Sequence, residues 1–323
     1  MFEWEKLGLV IDVESLKDRP EWFWEYAQAP NVIVHDDFVR VYFCCRPKPD
    51  AEGQFVSYGN YADLNRKDLF EIVELAEKPI MLLGDLGTFD EFGTYPISTI
   101  RDEDSTVYAY YGGWSRCESV PFNVSIGRSR SNDGGKTFEK EGKGPVLGHS
   151  LNDPFVVTSP KIRKYDNIWY LIYTAGVKWF ISEDRPEIIY KLRLARSQDG
   201  LNWDRLDQNI IPDKLGEDEA QACGDVLLRN GVYHMFFCYR EATDFRFAKD
   251  RTYRIGYARS EDMVHWERDD SKVGIDVSTT GWDADMVAYP TVFELDEQIY
   301  MLYLGNQVGR HGIGLARLKG DLT

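Results

Sequence analysis

The sequence predicts an all-β fold, a five-bladed β-propeller with four antiparallel strands per blade. It is read as one domain over residues 1–323, a ring closed by its N-terminal strand. Three observations predict it. A short phrase recurs five times, about 65 residues apart; a hairpin signature belongs to each repeat; and the fifth copy is divided between the two ends of the chain. A repeat array whose last unit is completed by the opposite terminus closes on itself. A closed ring has an axis, and a site is sought there.

Each blade begins with a hairpin. Residues 32–43, 97–111, 162–173, 226–237 and 292–303 each hold a β-rich run, a short turn rich in Asp, Asn, Gly or Glu, and a second run rich in aromatics. Alternating β-branched and aromatic residues around such turns are the local signature of paired strands. The recurring phrase supplies the third strand. Its clear copies are 125–138 (SIGRSRSNDGGKTF), 191–203 (KLRLARSQDGLNW) and 254–266 (RIGYARSEDMVHW). A degenerate copy occupies 58–70 (YGNYADLNRKDLF), and the last, 312–318 (GIGLARL), stops short of its second half. That half stands at the N-terminus, where Phe2-Glu-Trp-Glu-Lys6 matches Thr137-Phe-Glu-Lys140 and Asn202-Trp-Asp-Arg205. The turn after each third strand and the Trp or Phe beyond it supply the fourth strand. Pro30, Pro96, Pro160, Gly224 and Pro290 mark the start of the five first strands at spacings of 66, 64, 64 and 66. Proline is tolerated there because the first N–H of a strand need not join the ladder. No long helical period appears; residues 20–26 are read as room for a short helical turn.

Composition narrows the function classes. The formal net charge is −16, which opposes binding to nucleic acid or an anionic membrane and leaves neutral ligands such as carbohydrates. Five cysteines without a CxxC pair argue against a zinc or redox motif and for buried free thiols. The first residues do not read as a signal peptide, and no apolar run approaches membrane-spanning length, so a cytoplasmic location is expected. Oligomeric state leaves no trace in the sequence.

In a propeller the first strands line the central channel and the loops entering them form one mouth. Five residues before each marker lie Glu25, Glu91, Phe155, Glu219 and Asp285, four carboxylates in five. Asp90, Asp153 and Asp283 stand in the same loops. Carboxylates converging on one funnel are the equipment of glycosidic-bond hydrolysis, one protonated as acid and one ionised as base or nucleophile. Glu219 is the preferred acid, with Asp90 or Asp285 as its partner and Asp153 and Glu91 as further catalytic candidates. Glu25 and Asp283 are substrate-binding candidates. Trp22, Trp24, Tyr26, Tyr95, Trp114, Trp179, Trp282 and Tyr289 offer faces for sugar stacking. Arg46, Arg240 and Arg310 follow second strands, near Gln28, Asn152 and Asn306, and suit sugar hydroxyls or a substrate carboxylate or phosphate. His149 is a candidate proton relay or axial metal ligand. No cofactor is expected, although carboxylate loops allow an axial Ca²⁺.

With its blade count, its Ser-x-Asp-Gly turns and its acids at the blade entrances, the chain resembles the five-bladed propeller glycosidases. These are the arabinanases and xylosidases of glycoside hydrolase family 43, the invertases and levansucrases of families 32 and 68, and the mannoside phosphorylases of family 130. Ala29-Pro-Asn-Val, Gly87-Thr-Phe-Asp-Glu91 and Gly281-Trp-Asp283 resemble an uncharacterised branch of that superfamily. The resemblance implies the fold and a carbohydrate ligand. Arabinanase-like enzymes carry acids directly before the first-blade and third-blade prolines and just upstream in the fourth blade. The matching positions here are Ala29, Ser159 and Ala222/Cys223, none of which can supply a catalytic carboxyl. A sugar-binding propeller that has lost its acids, or a phosphorylase holding phosphate on Arg46, Arg240 and Arg310, are the competing functions. The Ser-x-Asp-Gly phrase also resembles the Asp box of sialidases, where it is a structural turn.

Overall fold

In the computed structural model, which describes residues 1–17 and 19–323, the chain forms five four-stranded antiparallel sheets. Strand β1 (Glu3–Asp12) comes first in sequence but belongs to the last blade. Blade 1 is β2 (Glu25–Val34), β3 (Phe38–Arg46), β4 (Tyr58–Asn65) and β5 (Asp68–Leu75). Blade 2 is β6 (Gly93–Arg101), β7 (Val107–Ser115), β8 (Asn123–Ser131) and β9 (Glu139–Lys140). Blade 3 is β10 (Val157–Tyr165), β11 (Ile168–Ser182), β12 (Arg185–Ser197) and β13 (Asp204–Arg205). Blade 4 is β14 (Ala220–Arg229), β15 (Val232–Arg240), β16 (Arg254–Ser260) and β17 (Glu267–Arg268). Blade 5 is β18 (Ala288–Leu295), β19 (Gln298–Leu304) and β20 (Gly312–Lys319), completed by β1 in the order β18-β19-β20-β1. The architecture is therefore the one the repeat predicts. Residues 20–26 form a turn and the start of β2, not a helical turn. Among the described residues no helix is long and apolar enough to cross a membrane.

The core is divided among the blade interfaces, because each sheet buries both faces against its neighbours. Phe43, Leu64, Leu302 and Ile313 fill the space between blades 1 and 5. Tyr42, Ile97 and Tyr111 fill that between blades 1 and 2, and Tyr110, Ile162 and Trp169 that between 2 and 3. Ile172, Leu194 and Phe237 join blades 3 and 4, and Phe236, Tyr257 and Met301 join 4 and 5. The Asp-box turns are structural, as the resemblance implies. Asp133 accepts hydrogen bonds from the Ser131 hydroxyl and from the amides of Lys136 and Thr137, and these hold its carboxyl at about 2 against its burial. The turns also latch neighbouring blades: Tyr42 donates to the Gly135 carbonyl at 2.9 Å and Tyr110 to that of Gly200 at 2.7 Å. Four thiols, Cys44, Cys45, Cys223 and Cys238, are buried and free, and Cys117 is exposed. Burial pushes the four buried thiols far up, which leaves them unreactive.

One interblade contact makes stability depend on pH. His35, in the turn between β2 and β3, accepts a hydrogen bond from Arg101 of blade 2 at 2.9 Å. Burial first, then the Arg101 and Arg40 charges, lower its pKa from 6.5 to about 4. The unfolded chain takes up this proton near 6.5, while the folded chain resists until about 4. The contribution is therefore complete above 6.5 and declines as the pH falls towards 4. Allowing for the ring's partial exposure, His35→Gln should remove about 1–2 kcal/mol of the stability difference between pH 7 and 4.5. Denaturant titrations at the two pH values check this; equal differences in both proteins would refute it.

Candidate active site

Every first strand carries a bulge at the residue before its marker. The register slips between Gln28 and Asn31, Thr94 and Ile97, Thr158 and Lys161, Ala222 and Asp225, and Ala288 and Thr291. Ala29, Ser159, Cys223 and Tyr289 adopt positive φ there, and the fifth site is the cis Tyr95–Pro96 peptide. A bulge re-aims side chains next to sites, and these bulges sit at the floor of the channel. Above them lies a cavity of about 420 Å³ to which all five blades contribute. Its wall includes Arg46 and Ser57 of blade 1, Tyr95 and Trp114 of blade 2, Thr158, Ser159, Thr174 and Tyr190 of blade 3, Ala222 of blade 4 and Tyr289 of blade 5. A second cavity of about 530 Å³ adjoins it, sharing Arg46 and Arg185 and adding Gln28, Arg246, Lys249, Tyr253 and Asp285.

Most of the expected acids are elsewhere. Asp153 is fully buried, accepts from Arg193 at 2.7 Å and from the Tyr173 hydroxyl at 3.0 Å, and is also paired with Arg205. Asp90 is held by Lys140 at 2.5 Å and the Tyr111 hydroxyl at 2.9 Å. Asp283 is held by Lys6 at 2.7 Å and the Tyr303 hydroxyl at 3.1 Å. Glu219 accepts from Arg268 at 2.7 Å, Gln221 at 2.9 Å and the amides of Lys214 and Leu215, while Arg268 stacks over Tyr239 at 4.5 Å. The pattern repeats: an acid from the loop entering the first strand, a tyrosine on the second, and a base on the fourth. Burial, then the adjacent carboxylate, pushes the Tyr111, Tyr173 and Tyr303 hydroxyls up and keeps them as donors. Blade 1 replaces the whole clip with packed rings, Phe23 against Phe43 at 5.4 Å. These four acids therefore fasten the entry loops to the outer strands, and none of them lines either funnel cavity.

The remaining candidates divide as follows. Glu91 accepts from the Gly87 amide within its own loop. Glu25 lies 4.0 Å from Arg310, which also donates to Gln307. Asp285 faces the second cavity and pairs with Lys249 at 2.5 Å. Asn306 positions that acid's loop by accepting from the Asp285 and Met286 amides. Gln28 donates to the Val308 carbonyl at 2.6 Å. Tyr95 and Trp114 line the first cavity, with the Trp114 indole N–H donating to Ser57 at 2.7 Å. Trp179, half-buried on the long hairpin of blade 3, packs edge-on against Phe122 beside the wall of the first cavity, and Trp282, half-buried in the loop entering blade 5, packs against Tyr303. Arg240 is buried, donating to the carbonyls of Glu241, Ala242 and Ile188. His149 bonds Asn123 in an exposed loop. Sequence reasoning missed Arg116, Arg185 and Arg246. Arg116 directly follows β7, and the rule that selected Arg46 and Arg240 would have found it.

Beneath the floor, the buried Lys161 ammonium donates to the Pro30 carbonyl at 3.2 Å and Thr291 at 2.6 Å, and lies 3.9 Å from Asp225. These partners come from the first strands of blades 1, 5 and 4, which places the amine at the axis, where burial lowers its pKa. Asp225 is already engaged by Arg163 and the Val292 amide. Among the described residues no group of three or more His, Cys, Asp or Glu side chains comes together.

The fold of this ring is shared with solved structures of glycoside hydrolases. A solved structure titled "Glycoside hydrolase" superposes with a TM-score of 0.74 over 98% of this chain and 92% of its own, at 16% identity. A structure from work on the family 130 mannoside phosphorylases and hydrolases gives 0.70 over 98% and 93%, at 15% identity. A thermostable family-43 glycoside hydrolase gives 0.65 over 91% and 90%, at 15% identity. At these identities the likeness is one of fold. No family model matches the sequence. Uncharacterized protein Rv1502 of Mycobacterium tuberculosis strain ATCC 25618 / H37Rv is 33% identical over 318 residues, 98% of this chain and 99% of its own. Uncharacterized protein MT1551 of strain CDC 1551 / Oshkosh matches to the same extent. The chain belongs to the family of these two proteins.

Proposed function

We propose that the protein recognises a carbohydrate in its central funnel and lacks the paired-carboxylate machinery of a glycosidase. One observation carries this reading: the cavity built by all five blades has no carboxylate in its wall. Ser159 and Ala222 line it at positions where the resembling hydrolases hold acids. Hydroxyls from Ser57, Thr158, Ser159 and Thr174, with Tyr95, Trp114 and Tyr190, form the mixed polar and aromatic wall that suits a sugar. The fold, shared with carbohydrate-active propellers, supports the same ligand class.

A glycan panel followed by calorimetry, run beside an aryl-glycoside panel, tests it. Saturable binding without turnover is expected; turnover above background would overturn the non-catalytic reading. The second reading, a hydrolase built on Asp285, is favoured by that residue alone among the catalytic candidates facing a funnel cavity. On that reading Asp285→Asn should lower any observed turnover about a hundredfold or more.

A further inference from the structure

We propose that the funnel selects a glycan bearing an oxyanion, whether phosphate, sulfate or carboxylate, and seats that group on Arg46 with Arg116 and Arg185 beside it. The inference rests on the carbohydrate reading above and adds the ligand's charge. The chain has 54 acidic against 38 basic residues, so a cavity wall drawn at random would favour acids. The central cavity instead carries three arginines and no carboxylate. The adjoining one carries Arg46, Arg185, Arg246 and Lys249 against Asp285.

Arg46 is held in a manner that leaves it free to bind. Its guanidinium lies 4.9 Å from the ring centres of both Tyr26 and Phe55. Among the described residues it has neither an ion-pair partner nor a side-chain hydrogen bond. Stacking fixes the guanidinium plane while leaving its in-plane N–H fork available, and that fork matches the spacing of oxyanion oxygens. Arg116 is arranged similarly, 4.2 Å from the Phe92 ring centre, and donates once, to the Phe55 carbonyl at 3.1 Å. Phe55 thus ties the two arginines together. Arg185 rises from the tip of the long hairpin of blade 3 and is mostly exposed, with Glu187 at 3.6 Å, so it can swing onto a ligand. A site for an uncharged sugar needs no pair of arginines left without a carboxylate partner, as Arg46 and Arg116 are among the described residues, with a third arginine beside them.

The test uses the full chain and glycans in matched neutral, uronate, sulfated and phosphorylated forms, with inorganic phosphate and sulfate as separate arms, followed by calorimetry at two salt concentrations. At least one anionic glycan should bind on the order of tenfold or more tighter than its neutral match, with the difference shrinking at high salt. Arg46→Ala and the longer Arg46→Gln should both remove that preference while their melting curves stay close to that of the parent. Equal binding of charged and neutral forms, or a preference that survives both substitutions, would overturn the proposal and leave the carbohydrate reading standing. Binding of inorganic anions without any glycan would overturn the carbohydrate reading and keep the arginine site as an anion site. No binding in any arm would overturn both.

Discussion

Deleting residues 1–12 is expected to abolish folding to a soluble monomer. Strand β1 pairs with β20 from Glu3↔Lys319 to Asp12↔Gly312 and supplies the fourth strand of the last blade. The side chains of residues 1–12 serve two interfaces at once. Phe2 and Trp4 pack between blades 4 and 5, while Val10 and Ile11 pack between blades 5 and 1. At about 1.5–3 kcal/mol for each such buried side chain, losing these four removes roughly 6–12 kcal/mol. That is comparable with the whole stability of an ordinary folded protein, about 5–15 kcal/mol. The deletion also bares the edge of β20, an invitation to aggregation. Soluble yield and far-UV circular dichroism check the outcome. A soluble, monomeric and cooperatively melting truncated chain would show that the ring does not depend on this strand.

Asp153→Asn should cost about 3–5 kcal/mol, the usual penalty for breaking a buried ion pair from one side. Asp153 is wholly buried between Arg193, Arg205 and the Tyr173 hydroxyl. The amide keeps the shape but removes the charge and turns one acceptor into a donor facing two guanidinium groups. In a chain of this size each kcal/mol shifts the melting midpoint by about 2 °C, so a fall on the order of 5–10 °C is expected. Ligand binding in the funnel at 25 °C should remain, because the carboxylate lies outside both cavities. An unchanged midpoint with lost binding would reverse the assignment.

The blade count, the strand order and the closure by the N-terminus were legible because the hairpin and Asp-box phrases are local and recur. The roles of the acids were harder to read. Counting five residues before each marker selected Glu25, Glu91, Glu219 and Asp285, of which Glu219 alone is a clip acid; the other three, Asp90, Asp153 and Asp283, stand six or seven residues before it. Entry loops differ in length, so a fixed offset does not correspond to one structural height. The partners were nevertheless present in the repeated phrase. Trp4-Glu-Lys6, Phe138-Glu-Lys140, Trp203-Asp-Arg205 and Trp266-Glu-Arg268 each place a base two residues after the aromatic. Four of the five blades carry both the acid and this base, while blade 1 lacks both and uses Phe23. That shared presence and absence is the signature of a structural pair. The arginine funnel was partly visible in Arg46. The stacking of Arg46 and Arg116 depends on rings from separate segments, Tyr26 at the start of β2 and Phe55 and Phe92 in loops, and only the folded ring brings those together.

Glu219 is where the two accounts of the acids diverge most, since it was the first choice as catalytic acid and is found clamped by Arg268 and two loop amides. The deciding measurement is thermal unfolding of Glu219→Gln beside its parent, with the glycan and aryl-glycoside panels run on both. A midpoint lowered by several degrees, with panel behaviour equal to the parent's, is predicted. An unaltered midpoint accompanied by a hundredfold loss of a turnover present in the parent would contradict the account.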